Sequence, residues 1–241
     1  MPRELSTLVP RWTKHFLHTS VFPPVCLLCG GRGHAVDLCA ECRAEFPWLR
    51  CSCPRCGTPL PSSTLCDPCQ RSVPFYDRIF TAFVYEPPID ALIVGLKFRD
   101  RIAHARLLGE LLADALATRT VPLPDLILPV PLHHTRLRKR GYNQALELTR
   151  PVAQRLGMPV DSTVCHRVRA TRPQSTLEAE QRRSNVRDAF FITKNSKVAG
   201  RRIAILDDVV TTGHTVNELA RVLYQAGARG VEVWGVAKAA C

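Results

Sequence analysis

Ile203-Ala204-Ile205-Leu206-Asp207-Asp208-Val209-Val210-Thr211-Thr212-Gly213-His214-Thr215 is an apolar run, two acids, a small-residue turn and a helix start. In open α/β sheets, ligands bind beyond the carboxyl ends of the strands. Asp207 and Asp208 are placed there to accept hydrogen bonds from adjacent hydroxyls of a sugar. Thr211, Thr212, Gly213, His214 and Thr215 then offer backbone N–H groups where a helix begins, a position that favours an anion. Gly213 lets the backbone approach that anion closely. The segment predicts a site for a phosphorylated sugar.

The flanking sequence extends the pattern in both directions. Arg202 to Leu206 predicts a buried strand, Thr215 to Gln225 a helix stopped by Gly227, and Val231 to Ala237 a last strand. Upstream, strands are expected at 78–85, 126–131, 163–168 and 189–193, and helices at 89–98, 102–118 and 144–156. Residues 169–187 are polar and aperiodic and read as a long loop. Strand and helix in alternation predict a parallel sheet covered by helices.

Charge is concentrated beside this pattern. The chain of 241 residues carries +12 overall, and residues 131–202 hold 16 Lys/Arg against 5 Asp/Glu, a net +11. Such an excess suits phosphate-bearing ligands, without separating a small phosphorylated metabolite from a nucleic-acid backbone. His133, His134, Arg136, Arg138, Lys139 and Arg140 follow the strand 126–131 and are expected in a loop facing the same cleft, where they would receive phosphate groups. Arg169, Arg172, Arg182, Arg183 and Arg187 fall on the long loop.

Nine of the eleven cysteines lie between Cys26 and Cys69. Cys26-x2-Cys29 is followed after nine residues by Cys39-x2-Cys42, and Cys53-x2-Cys56 after nine residues by Cys66-x2-Cys69. This tandem repeat predicts two closed tetrahedral zinc sites of four thiolates each. Cys26, Cys29, Cys39 and Cys42 are assigned to one ion; Cys53, Cys56, Cys66 and Cys69 to the other. An exchange of pairs between the two ribbons stays open. Cys51 is expected to be a buried or free thiol rather than a ligand, and Cys165 and Cys241 to be structural. A segment so short buries little core, so the metal supplies its folding energy.

The Asp-Asp-Val-Val-Thr-Thr-Gly-His-Thr run resembles the phosphoribosyl-pyrophosphate (PRPP) motif of type I phosphoribosyltransferases. That resemblance implies ribose contacts from Asp207 and Asp208, phosphate contacts across Thr211 to Thr215, and Mg²⁺ bound with PRPP. Val209 and Val210 belong to the same PRPP-binding run. Some purine-base members carry a general-base acid where this chain has Thr211, and that role has no occupant here; no catalytic side chain is assigned. Pro129-Val130-Pro131-Leu132, Arg140-Gly141-Tyr142-Asn143-Gln144-Ala145, Thr171, Gln174 and Arg182-Arg183-Ser184-Asn185 extend the similarity to the ComF family over residues 22–240. That family includes proteins of natural DNA uptake and GntX-like proteins, and joins a zinc module to such a domain. It implies pyrophosphate or loop contacts from Arg138, Lys139, Arg140, Gln174, Arg182, Arg183 and Asn185.

The expected organisation is an N-terminal extension (1–21), a double zinc-ribbon module (22–72) and a parallel-sheet type I phosphoribosyltransferase domain of α/β class (73–241). No apolar run reaches the ~18–20 residues that span a bilayer, and the first 25 residues lack the apolar core of a secretory signal, so a cytoplasmic protein is expected. Three functions fit these residues. The first is a PRPP-dependent phosphoribosyltransferase in DNA uptake, competence or DNA utilisation. The second is a non-catalytic nucleic-acid-binding competence factor with single-stranded DNA and the uptake machinery as partners. The third is a nucleotide-salvage phosphoribosyltransferase. The eight paired cysteines predict two zinc ions per chain purified without added metal. Elemental analysis checks this, and a value near one breaks the two-site assignment.

Overall fold

The computed structural model describes residues 24–34, 36–169, 187–193 and 197–239. They fall into two compact units that divide between Phe46 and Pro47.

The first unit holds the first four paired cysteines and one short helix, α1 (Ala40–Ala44). Its chain turns tightly at Cys26, whose N–H donates to Gly31 O at 2.8 Å while Gly30 N–H donates to Cys26 O at 2.9 Å. Gly30 takes φ 74°, where any side chain would be strained.

The second unit repeats that turn and then builds a sheet. Cys53 N–H donates to Thr58 O and Gly57 N–H to Cys53 O, both at 2.9 Å, with Gly57 at φ 72°. Helix α2 (Asp67–Arg71) carries Cys69. The remaining described elements are β1 (Arg78–Val84), α3 (Ile89–Phe98), α4 (Ala103–Ala117), β2 (Leu126–Pro129), α5 (His134–Arg140), α6 (Gln144–Leu156), β3 (Cys165–Arg167), β4 (Phe190–Ile192), β5 (Arg202–Val210), α7 (His214–Gln225) and β6 (Gly230–Lys238).

Four strands form a parallel sheet in the order β1-β6-β5-β2. β6 lies inside it and is buried at every position, as a strand covered on both faces must be. Val231 and Val233 of β6 and Ile203 and Ile205 of β5 share a core with Val216, Leu219 and Leu223 of α7. The alternate residue Trp234 meets the Arg119 guanidinium, 5.8 Å from its ring, at the end of α4. Residues 47–54 cover the outer edge of β1: Leu49 N–H donates to Ala82 O and Val84 N–H to Pro47 O at 2.9 Å each, and Ile79 N–H reaches Pro54 O at 3.4 Å. An open parallel edge is thereby capped. β3 and β4 pair antiparallel as a separate ribbon.

Three departures from expectation bear on the strand ends. β5 does not stop before the acids but runs through Asp207 and Asp208 to Val210, because β6 continues to Lys238 and supplies partners (Asp207 with Gly235, Val210 with Lys238). β2 ends at Pro129, although Val130 N–H still donates to Leu206 O at 2.9 Å. The basic stretch expected as a loop is helix α5, started by the His133 side chain and closed by Gly141 at φ 83°.

α4 and α6 touch backbone to backbone at Gly109. A Cβ there would lie 2.4 Å from Pro151 Cγ and 2.7 Å from Leu148 O. Gly109→Ala is therefore expected to destabilise the chain by about 1–3 kcal/mol. Denaturant unfolding measures it, and an unchanged midpoint contradicts this packing.

Candidate functional site: the cleft at the strand ends

All four parallel strands end at one cleft of ≈ 750 Å³. Tyr85 follows β1, Val130 and Leu132 follow β2, Asp207 to Val210 finish β5 and Ala239 follows β6; all line it. Thr211, Gly213, Thr215 and Val216 bring the start of α7 to the same space. Gly213 caps that helix at φ 77°, and Asn217 N–H closes the first turn on Gly213 O at 2.9 Å.

The two acids differ sharply. Asp208 is 3% exposed; its Oδ1 receives the Lys97 ammonium at 2.8 Å and the Val209 N–H at 2.6 Å. Its Oδ2 is buried with no hydrogen-bond partner, and so is Thr212 Oγ1. Buried polar atoms are normally paired, so an orphan oxygen on a residue lining the cleft, with a second in the turn between the lining residues Thr211 and Gly213, fits a hydroxyl- and phosphate-bearing ligand. Asp207 is half-buried, and its Oδ1 accepts the Asp208 N–H at 2.9 Å. Burial, and then the Asp208 charge, push the Asp207 carboxyl up to about 7, with Lys97 working against both. Burial alone would lower the Lys97 ammonium; the Asp208 carboxylate reverses this and raises it. Under the loop, Lys238 is 1% exposed and its Nζ donates to Thr211 O at 2.5 Å and to Ala239 O at 2.9 Å.

The basic wall follows helical rather than loop spacing. Arg136, Lys139 and Arg140 recur at i, i+3 and i+4 on α5 and line the cleft, while Arg138 is exposed and is not among the lining residues. Arg167 of β3 joins them. Burial, and then Arg136, lower the Arg167 guanidinium. The Arg-Gly-Tyr-Asn-Gln box is the joint between α5 and α6. Asn143 donates from Nδ2 to Val130 O and accepts the Ala145 N–H at Oδ1, both at 3.0 Å, which ties the α6 cap to the end of β2. Tyr142 OH donates to Leu96 O, Arg140 Nη1 donates to Gln144 Oε1, and the Arg140 guanidinium lies 5.4 Å from the Phe98 ring. Gln174, Arg182, Arg183 and Asn185 lie outside the described residues. Lys97, Lys238, Arg167, Tyr85 and Phe98 escaped the sequence reading. Lys97 and Lys238 had a usable signal: each is the one charged residue in an otherwise apolar stretch, Ala91–Phe98 and Val233–Ala240.

Each cysteine repeat closes on itself. Cys26, Cys29, Cys39 and Cys42 gather with all four sulfurs within 4.8 Å of one another, as do Cys53, Cys56, Cys66 and Cys69. Cys29 and Cys39 sulfurs stand 3.7 Å apart, and Cys56 and Cys66 sulfurs 3.5 Å. Four thiolates at Zn–S ≈ 2.3 Å in a tetrahedron stand ~3.8 Å apart, so each donor set fits one zinc ion. Burial pushes the Cys26 thiol up, yet the N–H groups of Cys29, Cys39 and Leu28 outweigh it and draw it down to about 6. Cys53 also falls to about 6, against burial, through the N–H groups of Cys66, Cys56 and Arg55. Cys42 is raised by its bond to Cys39 and by burial, and Cys69 by burial and Cys66. Four neighbouring thiolates need a cation, which zinc supplies.

Two closed thiolate sites and a cleft formed by parallel strand ends, an acid pair and a glycine-capped helix define a double-zinc-ribbon protein with a phosphoribosyltransferase-type domain. The double zinc ribbon domain family matches residues 17–70 and the phosphoribosyl transferase domain family residues 142–240. Over 225 residues, 89% of this chain and 96% of the relative, it is 35% identical to Competence protein F of Haemophilus influenzae. It is 38% identical over 220 residues to the DNA utilization protein YhgH of Escherichia coli K12, covering 88% of this chain and 96% of that one. The chain belongs to the ComF family. Among solved structures it is similar to the allosteric regulatory enzyme of purine biosynthesis, with a TM-score of 0.35 and 21% identity over 54% of this chain and 25% of that one. Among the described residues no helix is long and apolar enough to cross a membrane.

The Asp207 carboxyl is raised in the folded chain from 3.8 to about 7. The folded state therefore binds more protons than the unfolded state between these values, and ligand-free stability falls as pH rises through that window. Asp207→Asn is expected to flatten this fall and to be more stable than the parent at pH 8. Thermal unfolding at pH 4, 6 and 8 measures it; parallel profiles of variant and parent refute the assignment.

Proposed function

We propose that the cleft binds PRPP together with Mg²⁺ and that the chain is a PRPP-dependent phosphoribosyltransferase acting in DNA uptake or utilisation in the cytoplasm. One observation carries the reading: the buried, unpartnered Asp208 Oδ2 at the end of β5 and Thr212 Oγ1 in the turn that leads to α7. In this reading Asp207 and Asp208 accept the ribose hydroxyls, and Thr211 to Thr215 hold the 5′-phosphate at the positive end of α7. Lys97 pairs with Asp208 in its buried place. Arg136, Lys139, Arg140 and Arg167 receive the departing pyrophosphate, whose charge Mg²⁺, a hard cation that prefers oxygen ligands, would help to offset when bound. Transfer then asks the protein to fix geometry and stabilise leaving charge rather than to supply a nucleophile. With no general-base acid at Thr211, the acceptor must lose its proton to another group or attack without a strong base.

The names of the relatives, Competence protein F and DNA utilization protein, favour a nucleic acid as second ligand. The second reading follows: a nucleic-acid-binding competence factor that uses the same cleft without catalysis. The wall of Arg136, Lys139, Arg140 and Arg167 suits single-stranded DNA phosphates as well as pyrophosphate, so the two ligands compete there.

Calorimetric titration with PRPP and Mg²⁺ tests the first reading. Binding is expected, with at least a tenfold loss in Asp207→Ala plus Asp208→Ala, about 1.4 kcal/mol or more. Unchanged binding in the double variant removes the acid pair from the site. Pyrophosphate release with and without single-stranded DNA separates the readings. Binding of both ligands without release favours the non-catalytic factor.

A further inference from the structure

The second zinc cluster and the phosphate loop belong to one compact unit, and three consecutive residues join them. Six residues after Cys69, the Phe75 N–H donates to Asn217 Oδ1 at 2.6 Å, in the first turn of α7. Tyr76 follows, 6% exposed and packed in the core with Val216 and Leu219; its hydroxyl lies 3.4 Å from where a Cβ on Gly213 would sit. Asp77 comes next. Its Oδ1 accepts Tyr224 OH at 2.8 Å near the far end of α7, and its Oδ2 accepts the Val231 N–H at 2.9 Å at the start of β6. The stretch 75–77 thus lies along the helix whose N-terminus forms the phosphate loop, touching its first turn, its cap and its last turn.

The other end of this stretch is fixed by the cysteine cluster. Arg55 Nη1 donates to Cys69 O at 2.8 Å, so the two halves of the repeat are tied where the chain leaves it. Gly57 lies against Ile79 and Thr81 of β1. Residues 53–72 contain one short helix and few aliphatic side chains, so their order depends on the metal.

We propose that the second zinc site positions the phosphate loop: Phe75, Tyr76 and Asp77 form a strut from Cys69 to α7, and loss of that one ion loosens residues 211–217. Tyr76 is the central positioning residue, because it is the one that reaches the Gly213 cap. This rests on the reading of Thr211 to Thr215 as the phosphate loop only for its effect on ligand, not for the strut itself.

Hydrogen exchange of the full zinc-loaded chain, read by mass spectrometry, decides it without any ligand. Cys66→Ser plus Cys69→Ser, confirmed by elemental analysis to have lost one zinc, should speed exchange across 211–217 by about tenfold or more while 103–117 stays protected. Cys39→Ser plus Cys42→Ser loses the other ion and should leave 211–217 unchanged. If the site-two variant does not fold, Tyr76→Leu in the zinc-loaded chain takes its place, with the same local rise expected and partial recovery in Tyr76→Phe. Unchanged exchange at 211–217, or an equal rise at 103–117, overturns the strut. A PRPP titration on the same proteins separates the two ideas. If the parent chain fails to bind PRPP, the ligand assignment falls while the exchange result still decides the coupling. If it binds, the site-two variant should bind at least tenfold more weakly.

Discussion

Asp208 is a carboxylate kept almost wholly out of water at the end of a parallel strand, and the Lys97 ammonium 2.8 Å away is what makes that tolerable. An isolated charge at such burial would take up a proton instead. Removing one partner of a buried pair costs about 3–5 kcal/mol, because the other is stranded. The pair therefore does more than join two side chains. It fixes the C-terminal end of α3 against the end of β5, and residues of that helix end then receive Tyr142 and Arg140 from the α5–α6 joint. The acid wall and the basic wall of the cleft are positioned through the same few residues.

The same pair accounts for the difference between the two acids. With Lys97 bonded to Asp208, Asp207 faces a fixed negative neighbour and a buried setting, and its carboxyl rises to about 7. A ligand that brings hydroxyl donors or a cation to Asp207 would favour its charged form. Ligand binding and Asp207 ionisation are then linked, so the ligand-free site is the less stable arrangement at neutral pH. Carboxyls perturbed by burial and a like charge inside a cleft cluster at functional sites.

The parts of this arrangement that lie within one local segment were legible in the sequence. The strand–acid–turn–helix order of 203–215 and the Cys-x2-Cys repeats are both local, and each appears where it was expected. What was not legible depends on pairing between distant segments. β5 extends through the acids only because β6 offers partners as far as Lys238. The basic stretch 133–140 looks aperiodic because its charges crowd both sides of one short helix, hiding the i, i+3, i+4 face that reaches the cleft. Lys97 fell within the helix expected at 89–98 and was not singled out. Its partner is 111 residues away, and its only trace was a charge within an apolar run.

The cysteine repeats make the same distinction from the other side. Their spacing is identical and so are their turns, yet the second repeat lies in the same compact unit as the sheet and the first does not. Identical local chemistry therefore does not give identical roles. The first repeat folds around its own ion with α1. The second has its flanks bonded to β1 and its exit segment bonded to α7 and β6. Residues 47–54 also cap the open edge of β1, a task that any sheet of this order must assign to some segment. The segment is held there by strand-edge hydrogen bonds and by Trp48, whose ring lies 4.5 Å from that of Phe83 in β1. The border joins the ribbon only at Cys53 and Pro54, so the ion steadies one end of it while β1 and the Trp48 contact hold the other.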